Sequence, residues 1–139
     1  MHSTNYVDTF IVVADDSNAV EASVPPQRAI PSVAELTHRM IAERPYGHTS
    51  DDVIFTVWAD RRGIPDSERA SARAEFYSKG QPCMRSSDLA KRYGWGIHSD
   101  AEGRVALVAM DSAEYARLAS GLTPEGEPVT VLKAMRSKR

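Results

Sequence analysis

Residues 95–109 have the sequence WGIHSDAEGRVALVA, in which apolar residues recur at alternate positions on both sides of a turn. This period of two is typical of β-strands, and Gly103 suits a turn that needs a positive φ. The pattern predicts a hairpin with strands at 95–99 and 104–110, and hence an antiparallel sheet. In the first strand, Trp95, Ile97 and Ser99 are expected on one face. In the second strand, Val105, Leu107 and Ala109 are expected on one face.

Helical patterns lie on the N-terminal side of the hairpin. Ser32 and Glu35 have the spacing of a capping box, and apolar residues then recur at helical spacing until Pro45. Residues 50–62 are ambiguous, because their β-branched side chains suit a strand while the preceding capping signal and first-turn acids favour a helix. We predict a helix there, and a third helix over 65–79.

The remaining elements complete the predicted fold. An unbroken apolar run predicts a buried strand at 9–14, and a last strand is expected at 129–135 after a short helix at 111–119. The fold class is therefore α+β, with a mostly antiparallel sheet of about four strands and helices packed on one side. The chain of 139 residues fits one domain, with 1–8 and 136–139 as candidate flexible ends. The predicted core comprises Phe10, Val12, Leu36, Met40, Ile54, Trp58, Trp95, Ile97, Val105, Leu107 and Val131.

The composition is 42% hydrophobic and 26% charged, which is ordinary for a globular protein. Cys83 is the only cysteine, so no internal disulfide forms, and this favours a reducing, cytoplasmic setting. The apolar run at 10–14 is too short for a signal peptide or for a membrane span of about 20 residues. We expect no association with a membrane.

The charge is distributed unevenly along the chain. Residues 1–69 hold six Lys and Arg against eleven Asp and Glu, whereas residues 70–139 hold eleven against eight. A basic second half is compatible with an anionic partner, and the alternative is an ordinary solvated surface.

Three segments resemble a known family. They are PYGHTSDDVIF (45–55), FYSKGQPCMRSSDLAKRYGWGIH (76–98) and KAMRSKR (133–139), which occur together and in this order. The chain resembles, over nearly its whole length, a family of small proteins known only as a domain of unknown function, the 6157 family. The resemblance implies one domain and brings no activity, cofactor or catalytic residue. Where that family has Pro-Leu-Pro-Lys-Arg, residues 88–92 are DLAKR, which favours a helical turn.

Residues 80–98 contain the main candidate binding site. A short helix that starts near Ser87 would direct free backbone N–H groups at the preceding loop, where Arg85 and Ser86 could complete an anion site. The alternative is a plain N-cap by Ser87 with an Arg85–Asp88 salt bridge. Trp95 is expected in the core, and Tyr93 as a pocket wall. The candidate ligand-binding residues are Arg85, Ser86, Ser87, Lys91, Arg92, Tyr93 and Arg136.

Cys83 and His98 are weaker candidates for catalysis. A thiolate favoured by the nearby Arg85 would act as a nucleophile and His98 as its base. The alternatives are a small buried cysteine and a histidine that is hydrogen-bonded at the sheet surface. The sequence has no HxH, HExxH or CxxC spacing, so no metal site is expected.

Three functions stay open at this point, and no cofactor is assigned. The first is binding of a small anionic ligand at 80–98. The second is a protein or nucleic-acid interaction module, and the third is a hydrolase or transferase that uses Cys83 and His98. The basic patch of the second would comprise Lys91, Arg92, Arg136, Lys138 and Arg139.

Overall fold

The computed structural model describes residues 1–137, so Lys138 and Arg139 lie outside the described residues. It confirms the α+β class, with both helices and strands along the chain. The elements are β1 (Thr9–Val12), α1 (Val33–Glu43), α2 (Ser50–Arg61), α3 (Asp66–Phe76), a 3-10 turn (Met84–Ser86), α4 (Asp88–Lys91), β2 (Trp95–Ser99), β3 (Val105–Ala109), α5 (Ala113–Ala119) and β4 (Thr130–Lys133).

The strands form one mixed sheet in the order β3-β2-β1-β4. The predicted hairpin is confirmed, since β2 and β3 pair antiparallel with Ile97 opposite Leu107. β1 pairs antiparallel with β2 and parallel with β4, so the sheet is mostly antiparallel. β4 lies at one edge, as Pro128 at its start indicates.

The expectation of helices on one side of the sheet needs a correction. Ile11 and Ile97 face the side covered by α1, α2 and α4, whereas Phe10 and Val108 face α5 on the opposite side. The physical reason lies in β3, whose sequence VALVA is apolar at every position. Because side chains alternate along a strand, both faces of the sheet then need a cover.

The ambiguous segment is a helix, as predicted. Thr49 Oγ1 accepts a hydrogen bond from the backbone N–H of Asp52, and the Asp52 carboxylate accepts one from the N–H of Thr49. This capping box starts α2 despite the β-branched residues that follow. The third helix is confirmed as well, but α3 ends at Phe76, three residues before the predicted end.

The predicted core is confirmed in part. Phe10, Ile97 and Val105 are buried, with exposed fractions of 1% or less. Val131 is 37% exposed because it lies on the edge strand, so its predicted burial is wrong. The other predicted core residues are half-buried, namely Val12, Leu36, Met40, Ile54, Trp58, Trp95 and Leu107.

Within residues 1–8, a candidate flexible end, Ser3, Thr4 and Asn5 are hydrogen-bonded to Asp51 at the start of α2, and Thr4 is buried there. Within residues 1–137, no helix has the length and apolar character needed to cross a membrane.

Candidate functional site

An open groove of about 360 Å³ lies between α1, α2, the end of α3 and residues 81–88. We call it the α2 groove. Val33 and Ala34 of α1 line one part of it, and Ile54, Val57 and Trp58 of α2 line another. The groove therefore has a mainly apolar wall on its helical side.

The sequence of α2 explains this wall. Ile54, Val57, Trp58 and Arg61 follow one another at helical spacing, so they lie on one side of the helix. Ile54 and Trp58 are half-buried, because they face the groove rather than the centre of the core. Phe76 from the end of α3 stacks against Trp58, with 4.8 Å between the ring centroids. The apolar stripe of α2 thus leaves aromatic surface accessible in the groove.

Two arginines border the groove at the end of α2. Arg61 and Arg62 are exposed, and neither forms an ion pair with any residue from 1 to 137. The guanidinium carbon of Arg62 lies 4.4 Å from the centroid of a Trp58 ring, a cation–π contact that holds the charge beside the apolar wall. By contrast, Arg69 and Arg73 are paired with Asp60 and Asp52. The groove therefore has positive charge available for a ligand.

Residues 81–88 form the facing wall, and two of the predicted ligand-binding residues line it. Ser86 and Ser87 line the groove, as does Asp88. Ser87 is the N-cap of α4, since its Oγ accepts a hydrogen bond from the backbone N–H of Leu89. The Ser86 hydroxyl lies 3.2 Å from Met135 Sδ. The cap predicted at Ser87 is confirmed.

Arg85 does not line the groove. Its Nε donates to the backbone carbonyl of Lys133 at 2.7 Å, and its own carbonyl accepts the N–H of Met135 at 2.8 Å. Arg85 therefore connects the 3-10 turn to the end of β4. The alternative salt bridge with Asp88 is not formed, because Asp88 pairs with Arg92 at 3.7 Å.

The other predicted ligand-binding residues lie outside the groove. Arg92 pairs with Asp88, and Arg136 pairs with Asp15 at 3.7 Å. Tyr93 is half-buried, and its carbonyl accepts a hydrogen bond from the N–H of Ser23. Lys91 ends α4. The structure does not gather these residues with Ser86 and Ser87, and their binding role stays a prediction.

Cys83 and His98 are not hydrogen-bonded to each other. Cys83 lines the groove, and its Sγ lies 3.3 Å from the Tyr6 hydroxyl. His98 Nδ1 lies 2.7 Å from the hydroxyl of Tyr46 instead. The hydrogen bond with Cys83, together with burial, raises the pKa of Tyr6. Each candidate thus has a tyrosine partner of its own.

The Tyr46–His98 pair lies on the α5 side of the sheet. Burial lowers the pKa of His98, against the opposing influence of Asp100 and Glu114. Burial also raises the pKa of Tyr46 to about 12, so this hydroxyl keeps its proton at neutral pH. Tyr46 has a φ of +57°, which a residue other than glycine rarely adopts. His98 therefore forms a hydrogen bond from the face of the sheet to the connection between α1 and α2, in line with the interpretation of a hydrogen-bonded histidine at the sheet surface.

Sequence reasoning missed the arginine pair and the partner of Cys83. A signal for Arg61 was present, since it is a charged residue that continues the apolar stripe of α2. No local signal points to the Tyr6–Cys83 contact, which joins residues 77 positions apart. Within residues 1–137, no three His, Cys, Asp or Glu side chains form a group that could hold a metal ion.

Comparison with known protein families identifies a family for this chain. The model of a family of unknown function, DUF6157, matches residues 1–139, which confirms the family suspected from the three sequence segments. No curated protein and no solved structure matches the chain.

Proposed function

This chain belongs to the DUF6157 family, a family of unknown function, and we propose that its α2 groove binds a small molecule with an apolar body and one anionic group. The observation that carries the proposal is the combination of an apolar groove with two arginines that have no acidic partner in residues 1–137.

The apolar body is supported by the shape and lining of the groove. A volume of about 360 Å³ falls within the range of small-molecule sites, which are lined mainly by apolar and aromatic side chains with a few polar groups. Trp58 and Phe76 provide aromatic surface, and Ile54, Val57 and Met84 provide aliphatic surface. A flat aromatic or short aliphatic ligand body matches this lining.

The anionic group is supported by the charges. Arg61 and Arg62 stand beside the wall, and Asp88 is the single acid among the lining residues. Its carboxylate already has Arg92 nearby. Guanidinium groups bind carboxylates and phosphates through paired N–H donors. Arg61 and Arg62 would thus bind the anionic group of the ligand, which the sequence suggests for Arg85 and Arg92. Ser86 and Ser87 would be further ligand contacts.

The test is isothermal titration calorimetry with 1-naphthoate and octanoate, and with their uncharged counterparts 1-naphthalenemethanol and 1-octanol. We expect saturable binding of the acids and weaker binding of the alcohols. Since a charge-assisted contact contributes about 1.5–3 kcal/mol, Arg61→Gln or Arg62→Gln should weaken binding of the acids by roughly tenfold to a hundredfold.

Arg44→Gln is the matched control, because Arg44 is exposed, unpaired within residues 1–137, and outside the groove lining. Equal affinity for acids and alcohols, or equal losses in the Arg44, Arg61 and Arg62 variants, would contradict the proposal. Arg85→Ala is measured alongside. A tenfold loss in that variant alone would return the anion site to residues 85–93.

We also propose a cytoplasmic location, which is supported by the single, free Cys83 thiol. Expression with a fluorescent tag in cells and fractionation of the lysate test it. A signal in an oxidising compartment would contradict it.

A further inference from the structure

The N-terminal residues 2–7, which we call the strap, are bound to the first turn of α2. The carboxylate of Asp51 accepts hydrogen bonds from the Thr4 backbone N–H at 2.7 Å, from the Thr4 hydroxyl at 2.7 Å and from the Ser3 hydroxyl at 2.9 Å. In return, the N–H of Asp51 donates to the side-chain oxygen of Asn5 at 2.9 Å. Thr4 and Asp51 are both buried, so the two hydrogen bonds between them are shielded from water.

The same strap is bound to the segment that follows α3. The backbone N–H of His2 donates to the carbonyl of Tyr77 at 2.9 Å, and the Tyr6 hydroxyl lies 3.3 Å from Cys83 Sγ. Tyr77 is fully buried, and its hydroxyl donates to the Asp51 carbonyl at 2.7 Å. The strap, Tyr77 and α2 are thus joined in one hydrogen-bonded unit.

A turn at Asp8 joins the strap to the start of β1. Asp8 has a φ of +46°, and this turn separates the strap from β1. Asp8 itself stays anchored, because its N–H donates to the Asp100 carbonyl and its carbonyl accepts the N–H of Thr130. Asp8 therefore marks a fixed point about which the strap could detach while the sheet stays intact.

We infer that the strap controls the α2 groove by tying its two walls together. One wall is α2, which the strap holds through Asp51, and the other contains Cys83, which the strap holds through Tyr6. Detachment of the strap frees residues 81–88 to move relative to α2. Docking of the strap and occupancy of the groove then favour each other, and linkage makes this effect reciprocal. This inference rests on the proposed function for its ligand.

The first experiment needs no ligand. Cys83 is the only cysteine, so the rate of its alkylation by iodoacetamide measures how accessible the wall formed by residues 81–88 is. Thr4→Val removes hydroxyl contacts to Asp51 and Ser50, and Tyr6→Phe removes the contact to Cys83. Cys83 is half-buried, and we expect alkylation to become about fivefold faster or more in both variants, because local opening exposes its thiol further.

Two control variants accompany these measurements. Tyr93→Phe removes a hydroxyl that makes no hydrogen bond within residues 1–137, and it should alkylate like the wild type. Val108→Ala lowers stability on the α5 side of the sheet and reports acceleration that is due to global unfolding. If Thr4→Val and Tyr6→Phe alkylate within twofold of the wild type, or no faster than Val108→Ala, the strap does not hold the wall and the inference is wrong.

The second experiment tests reciprocity with 1-naphthoate. Saturating 1-naphthoate should slow amide hydrogen exchange at Thr4 in the wild type, and Thr4→Val should weaken 1-naphthoate binding about fivefold or more. Binding of 1-naphthoate without either effect would overturn the coupling while leaving the proposed function intact. If neither acid nor alcohol binds, the proposed function fails, and the alkylation rates alone decide whether the strap holds the wall.

Discussion

The two ends of helix α2 differ in how their polar groups are used. At the first turn, Asp51 is only 5% exposed, and its carboxylate accepts three hydrogen bonds from the strap. At the last turn, Arg61 and Arg62 are exposed and have no ion pair within residues 1–137. The first turn of α2 thus carries a hydrogen-bonded, buried polar cluster. Its last turn carries arginine charges that no acidic side chain within residues 1–137 neutralises.

This difference separates structural residues from binding residues. Buried polar groups cost free energy unless they are paired, so the cluster around Asp51 fixes the position of α2 and the strap. Exposed arginines contribute little to stability, and their charge stays available for another molecule. We therefore expect substitutions at the first turn to change stability, and substitutions at the last turn to change binding.

Asp51→Ala should have the largest effect on stability. It leaves the N–H of Thr4 and two hydroxyls without their acceptor, and we expect the unfolding free energy to fall by about 3 kcal/mol. Urea denaturation measures this change, with the m-value held constant. Asp52→Ala is the neighbouring control and should cost about 1 kcal/mol, because Asp52 is a half-exposed residue that caps α2 and forms only an exposed ion pair with Arg73. Equal costs for the two variants would remove the distinction between a buried cluster and an ordinary cap.

Trp58→Ala should have a smaller effect, because its ring faces the groove. We expect a loss of about 1–2 kcal/mol, less than the roughly 3–5 kcal/mol of a fully buried aromatic residue. Phe55→Ala is the control from the same helix, since Phe55 is buried, and it should show the larger loss. Thermal unfolding of both variants decides the point. A Trp58 loss as large as that of Phe55 would place Trp58 in the core instead of the groove.

Acidification should separate stability from binding. The pKa of His98 is held below its ordinary value by burial, and so is that of His38. Below about pH 6.5 the unfolded chain therefore binds more protons than the folded chain, and stability should fall as the pH is lowered. Binding of 1-naphthoate should stay constant between about pH 6 and 9, because arginine keeps its charge.

Denaturation curves at several pH values measure the change in stability, and calorimetry measures the affinity for 1-naphthoate at the same pH values. His98→Asn should remove part of the stability change, and the part due to His38 should remain. A stability that is flat from pH 7 to pH 5 would contradict the pKa directions given for these two histidines.

The double variant Arg61→Gln/Arg62→Gln should have the smallest effect on stability. Neither residue forms an ion pair within residues 1–137, and the variant removes only the exposed cation–π contact of Arg62 with Trp58, so we expect the free energy of unfolding to change by at most about 1 kcal/mol. Chemical denaturation checks this value. A loss above about 1 kcal/mol would show that the arginines hold the fold together, and the contrast between the two ends of α2 would disappear.

The sequence predicted the elements that depend on local signals. Helix α2 was predicted from residues 49–52, a capping signal that starts a helix in spite of the β-branched residues that follow. The hairpin followed from its period of two. Helix α5 was also predicted, but its position on the second face of the sheet was missed, because the pattern of one strand does not show which element covers each face.

The site depends on contacts between distant residues, and the sequence predicted less of it. Ser86 and Ser87 do line the groove, but α1 (Val33–Glu43) and α2 (Ser50–Arg61), which form its other side, lie at least 25 residues earlier in the chain. The Thr4–Asp51 hydrogen bonds join residues 47 positions apart. Such pairs leave no periodic signal in a single sequence, so the strap and the arginine pair emerge only from the structure.

The most direct test of a ligand site at the last turn of α2 is a methyl NMR titration with 1-naphthoate. We predict saturable shifts for the methyl groups of Val33, Ile54 and Val57, which line the groove. The methyl groups of Val108 and Leu118, on the α5 side of the sheet, should not shift. Unchanged groove methyl groups at saturating 1-naphthoate, or shifts that are largest at Val108 and Leu118, would contradict the account.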